Sequence, residues 1–171
     1  MSTVTEQAKY LVQQLKSLQG NKAAMSSLRK SLSPTLVHKA WPYLVRWCDL
    51  NNDRMRCITQ HVAAFYAAHP VHAACGNLGG SLRALAMSRG SENAIDVHER
   101  YLKRILAARD SESLCTRLEF VMRMFKSHGI PVNYEMLYKD IVYWNERTQI
   151  QWTKFYYIGK EDQDVSDKDN G

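Results

Sequence analysis

A chain of 171 residues with 45% hydrophobic side chains can bury one real core or two small helical lobes, which excludes global disorder. No run approaches the ~18 uninterrupted apolar residues of a membrane helix, and residues 1–7 hold no apolar signal core, so the expectation is a cytoplasmic protein with no membrane partner. The net charge of +6 is uneven: residues 160–171 contain two Lys and five acidic residues, a local −3, which leaves +9 on the body and suits a polyanionic partner.

Thr3-x-x-Glu6 reads as a capping box, followed by an apolar stripe at helical spacing: Val4, Ala8, Leu11, Val12, Leu15 and Leu18. Gly20 stops that helix. Asn21 caps a second, short one that carries Lys22, Arg29 and Lys30. Between Glu6 and Asp49 there is no acid, while seven cations fall in that stretch. A one-signed run of this kind favours a phosphate-facing surface.

Ser33-Pro34 predicts another helix start, and Pro42 a break or restart. Trp41, Tyr43, Leu44 and Trp47 are expected in the core or between lobes. Asn51-Asn52-Asp53 predicts a turn and cap for a helix marked by Met55, Ile58, Val62 and Phe65. Residues 71–80 hold three glycines and read as a loop. Helix signals resume at Ser81, with Arg83 off the apolar face, and Gly90 suits a left-handed stop.

Residues 93–126 hold the densest cationic run. They predict two helices joined at Asp110-Ser111. In the first, Ile95, Tyr101, Leu102, Ile105 and Leu106 take one side, and Arg100, Lys103 and Arg104 take the other, with Arg109 near its end. The second adds Arg117, Arg123 and Lys126 and ends at His128-Gly129-Ile130-Pro131. Asn133 then caps a last helix with inner residues Leu137, Ile141, Trp144, Trp152 and Phe155, while Arg147 and Lys154 share another face.

No segment alternates with period two, so the expected fold class is all-α: about eight helices in a compact two-lobed bundle, with no sheet. The expected division is an N-terminal lobe over 1–70, a loop over 71–80, a C-terminal lobe over 81–158 and a disordered acidic tail over 159–171. Phosphate-loop, nucleophile-elbow, zinc-protease and dinucleotide signatures are all absent, so no catalytic residue and no cofactor is expected. Cys48, Cys57, Cys75 and Cys115 form no Cys-x-x-Cys pair and are expected to be reduced, packed thiols. His69-x-x-His72-x-x-Cys75, with His61 one helix away, has metal-ligand chemistry but no complete ligand set, so no metal is expected.

The order of the C-terminal half resembles the CasB family, the small subunit of the type I-E CRISPR surveillance complex Cascade. The resemblance is carried by Gly80-Ser81-Leu82-Arg83-Ala84-Leu85, by Leu106-Ala107-Ala108-Arg109-Asp110, by Arg117-Leu118, and above all by Trp144-x-x-Arg147…Trp152-x-x-Phe155. Leu28-Arg29-Lys30 followed by Pro34 is similar to the family's N-terminal basic element. In the family a Gly often stands between the Leu and Arg of the first motif; here the glycines precede Ser81.

The resemblance implies a non-catalytic, two-lobed helical subunit, present with a second copy of itself. Its implied partners are the backbone and large subunits of Cascade, CRISPR RNA and target DNA. Its basic surface would guide the DNA strand displaced by the guide and stabilise the R-loop in antiviral defence. Arg29, Lys30, Arg109, Arg117 and Arg147 are carried over as backbone-binding cations and are expected to converge on one groove. Charge placement adds Lys22, Arg83, Arg100, Arg104 and Arg123 as candidate nucleic-acid-binding residues. Arg117 lies at the edge of its helix's apolar stripe, so an ion pair with Glu119 or Asp110 is its alternative. For the chain as a whole the alternative is a helical adaptor that contacts only proteins.

Overall fold

A computed structural model describes residues 2–159; the acidic segment 160–171, with the disorder expected of it, lies outside the described residues. Nine α-helices and two short 3-10 turns make up the described chain, and eight of the helices have at least seven residues. No strand occurs among the described residues. One isolated parallel bridge joins His72 to Val132, two residues in connections between helices.

Local chemistry sets most of the helix starts. α1 (Val4–Leu18) opens on the Thr3 capping box: Thr3 N–H donates to Glu6 Oε2 at 2.8 Å and Glu6 N–H to Thr3 Oγ1 at 3.2 Å. It buries Ala8, Leu11, Val12 and Leu15. Asn side chains accept from the backbone to cap α2 (Lys22–Arg29), α4 (Asp53–Ala68) and α8 (Tyr134–Val142). Asp110 does the same for α7 (Ser111–His128). Each such cap satisfies an N–H that the helix itself cannot pair. Gly90 and Gly129, with φ of 66° and 64°, take the left-handed conformation just past α5 (Leu78–Ser88) and α7.

Four segments differ from the sequence expectation. Residues 30–40 form 3-10 turns, Lys30–Leu32 and Val37–Lys39, where Ser33-Pro34 predicted a helix start. The Ser31 hydroxyl donates to the Gln60 carbonyl at 2.9 Å, which fastens this strap to α4. Pro42 restarts the helix, one of its two expected roles, in the first turn of the four-residue α3 (Trp41–Leu44); the departure here is Trp41, which is 44% exposed and outside the core. α5 begins before Ser81 and includes Gly79 and Gly80. The last predicted helix is two, α8 and α9 (Glu146–Tyr157), because Asn145 caps a new start by accepting from Thr148 N–H.

The buried apolar residues form one continuous cluster from Ala8 to Tyr156. α4 lies at its centre against α2, α7 and α8, while α5 packs on α9 and on α6 (Ala94–Leu106). α1 crosses to pack on α8, so helices from both expected lobes share this core.

α8 and α9 are clasped by a polar bond. The Trp152 indole N–H donates to Asp140 Oδ2 at 2.6 Å, and Trp144 packs on Trp152 with ring centroids 5.0 Å apart. Burial pushes the Asp140 carboxyl up to about 6, against a smaller lowering by the Trp152 bond. A carboxyl with a raised folded pKa binds more protons folded than unfolded. Its contribution is therefore full below the ordinary carboxylate range and is lost as pH rises toward about 6. Asp140→Asn keeps an acceptor for Trp152 without the charge. It should remove this slope and leave the protein more stable than the parent by about 1–2 kcal/mol at neutral pH. Urea melts at pH 4, 5, 6 and 7 check it; parallel curves for parent and variant would refute it.

Candidate nucleic-acid interface

α6 and α7 lie side by side, and a cation on each flanks a pair of rings that meet between them. The Arg100 guanidinium lies over the Tyr101 ring, 5.0 Å from its centre, and donates to the Tyr101 hydroxyl at 3.1 Å. Tyr101 meets Phe120 at 6.0 Å between centroids, and Arg123 stands 6.0 Å from the Phe120 ring. Phe120 is 42% exposed, unlike its neighbours Leu118, Val121 and Met122, which turn inward.

Arg123 also lines a groove between α2, α4 and α7, with Arg29, Lys126, His69 and Glu119. Arg29 sits at the end of α2 and donates from Nη1 to the Ala67 carbonyl at 3.2 Å, satisfying an otherwise unpaired carbonyl in the last turn of α4. That uses one of its five donors, and the side chain remains exposed. The acid in the groove, Glu119, is engaged: its Oε1 accepts from His61 Nε2 at 3.1 Å. Among the described residues, Arg29, Arg100, Arg123 and Lys126 make no ion pair; the pairs formed are Arg56–Asp53, Lys103–Glu99 and His61–Glu119.

The other candidates are dispersed. Arg147 is exposed and lines a different depression, with Asn77, Met136, Asp140 and Gln151. Arg109 is exposed in the link between α6 and α7, outside either helix, and the Trp144 indole N–H fixes that link by donating to the Ala108 carbonyl at 2.9 Å. Arg117 Nη1 donates to the Arg104 carbonyl at 2.9 Å, in the last turn of α6, while the Arg104 side chain is exposed. Arg83 serves the fold, since its Nη1 donates to the Tyr156 and Tyr157 carbonyls at 2.9 and 3.0 Å, at the end of α9. Lys22 is exposed and Lys30 is half-buried. Sequence reasoning did not single out Tyr101 and Phe120 as surface rings or Lys126 as a site residue. Phe120 falling between the inward positions of α7 was the available signal.

The histidines separate as well. His69 Nε2 is bonded to the Ile130 carbonyl at 2.6 Å, His72 Nδ1 accepts from Tyr134 N–H at 3.3 Å, and Cys75 is exposed. His61 instead lies with Cys57 and Cys115. The bond from Cys115, then that from His61, lowers the Cys57 thiol to about 5, while Cys115 is held well above the ordinary thiol range by its bond to Cys57 and by burial. Burial alone would lower His61; its bonds to Cys57, the Cys57 charge and the bond to Glu119 together raise it.

The fold and this surface define a class: a protein all-helical over its described residues, with a basic and aromatic strip whose cations make no ion pair among those residues. The chain belongs to the CRISPR-associated protein Cse2 family, whose model matches residues 24–157. Its fold is similar to a chain of a solved "CRISPR RNA-guided surveillance complex, pre-nicking", at 21% identity, a TM-score of 0.76, and coverage of 96% of this chain and 99% of that one. A Cse2-family protein from Thermus thermophilus is 25% identical, with a TM-score of 0.69 over 88% of this chain and 97% of that one. A CasB structure, also from Thermus thermophilus, is 23% identical, with a TM-score of 0.68 over the same shares. Comparison with curated proteins gave no match. No helix among the described residues is long and apolar enough to cross a membrane.

Proposed function

We propose that the chain is a non-catalytic small subunit of a type I-E, Cascade-like RNA-guided surveillance complex, and that it holds the backbone of the displaced DNA strand and so stabilises the R-loop. Membership of the Cse2 family and the likeness to chains of solved surveillance complexes support its place in such a particle. Its partners there would be the backbone and large subunits, a second copy of itself, CRISPR RNA and target DNA.

The observation that carries the nucleic-acid role is the strip Arg100–Tyr101–Phe120–Arg123 running into the groove with Lys126 and Arg29. Cations neutralise phosphates and the exposed Phe120 ring, backed by the half-buried Tyr101, offers a stacking surface, which together suit a single strand of any sequence. Base pairing elsewhere in the particle would carry the sequence information. The adaptor reading has its own support in Trp41 and Val45, four apart, which are 44% and 58% exposed and suit a protein partner. The two readings are compatible on different faces of one chain.

Filter binding of the purified chain to unrelated single strands, at salt concentrations from low to physiological, tests the role. Retention of every sequence at low salt, with a steep linear fall in log affinity against log salt, is the expected result. No retention at any salt would leave the adaptor alone.

A further inference from the structure

We propose that Cys57, His61 and Cys115 form a binding site for a thiophilic divalent cation, zinc by preference, that clasps α4 to α7. Cys57 and His61 are four residues apart on α4, and Cys115 and Glu119 are four apart on the facing helix α7. Residues at that spacing share one helix face, so two short pairs meet across the helix contact. The ligand atoms of Cys57, His61 and Cys115 all lie within 4.8 Å of one another.

The dimensions fit zinc. Tetrahedral coordination, with Zn–S of about 2.3 Å and Zn–N of about 2.05 Å, sets S···N edges of about 3.6 Å and S···S edges of about 3.8 Å. Cys57 Sγ and His61 Nδ1 stand 3.6 Å apart. The remaining edges need at most about 1 Å of side-chain adjustment. Two thiolates and a neutral imidazole also balance a divalent charge, which suits the buried Cys115 side of the site.

The outer partner is in place too. His61 Nε2 is 3.1 Å from Glu119 Oε1, so with Nε2 protonated and donating to the carboxylate, Nδ1 is the nitrogen left for the metal. Nδ1 donates to the Cys57 carbonyl at 2.8 Å, so taking up the ion turns the ring off that carbonyl and releases the Nδ1 proton and the thiol protons of Cys57 and Cys115 to solvent. The three protein ligands leave a fourth position for a water, and His61 and Glu119 line a surface depression with Gln60 and Thr116 that brings solvent to this part of the helix contact.

The test uses the full chain, purified reduced. Metal analysis after dialysis against zinc should find about one ion per chain, and cobalt(II) should give the intense visible bands of tetrahedral thiolate coordination. Cys57→Ser and Cys115→Ser should lose both signals, Glu119→Gln should weaken affinity about 10–100-fold, and Cys75→Ser should change neither. Alkylation mapping of the unaltered chain guards against variants that fail to fold: zinc should protect the half-exposed Cys57 and not the exposed Cys75. A folded chain that retains no zinc, cobalt bands that survive loss of both cysteines, or equal Cys57 labelling with and without zinc would each overturn the site.

Discussion

Gly79→Ala should lower stability by about 3 kcal/mol or more, a fall in Tm of roughly 6–12 °C or beyond, although only one methyl group is added. A Cβ at Gly79 would lie 2.0 Å from the Trp152 carbonyl oxygen and 2.7 Å from its carbon. Both are backbone atoms of α9, so no rotamer change relieves the clash, and α5 must move away from the helix that carries Trp152. The adjacent glycine is the control. A Cβ at Gly80 would meet Phe155 Cδ1 at 3.6 Å, an ordinary contact. Gly80→Ala should therefore leave stability unchanged or raise it by up to about 1 kcal/mol through helix propensity. Thermal and urea melts of the two variants decide the matter; a Gly79→Ala protein that melts with the parent would mean that α5 and α9 do not meet there.

The same two glycines show what the sequence could and could not reveal. Caps are local, so Thr3, Asn21, Asn52 and Asn133 were legible from their own neighbours, and the helices behind them followed. Gly79 is required by a helix more than seventy residues away, and without that partner a glycine run reads as a loop. The break at Asn145 was hidden because Leu137, Ile141, Trp144 and Trp152 keep helical spacing through it.

Among the cations, charge was legible but employment was not. Arg83 and Arg117 spend donors on the last carbonyls of α9 and α6, and only the packed structure reveals those acceptors. Phe120 was overlooked for a related reason: an apolar residue on an amphipathic helix counts as core until its angle is checked against its neighbours. The Cys57–His61 spacing is visible in the sequence, yet its complement, Cys115, comes from another helix.

Replacing Arg100, Arg123 and Lys126 together with Gln should lower single-strand affinity by about 100-fold at 0.1 M salt and reduce the salt slope by about two units. Each phosphate neutralised on a single strand contributes about 0.7 to that slope, and hence about 0.7 decades of affinity at 0.1 M salt relative to 1 M. Three contacts therefore account for both figures. The three side chains are exposed and make no ion pair among the described residues, so the variant should melt close to the parent. Two single variants separate stacking on the strip from a cation that serves the fold. Phe120→Ala removes a ring that is 42% exposed, and should weaken binding by about 1–3 kcal/mol without changing the slope, because stacking releases no counterions. Arg83→Gln should lower Tm by freeing the carbonyls at the end of α9 and leave both affinity and slope alone. Filter binding over a salt series, with a melt of each variant, reads all of these outcomes. If the folded triple variant keeps the parent's slope, the strip is not the strand's path, and the exposed Arg109 and Arg147 surfaces become the next to test.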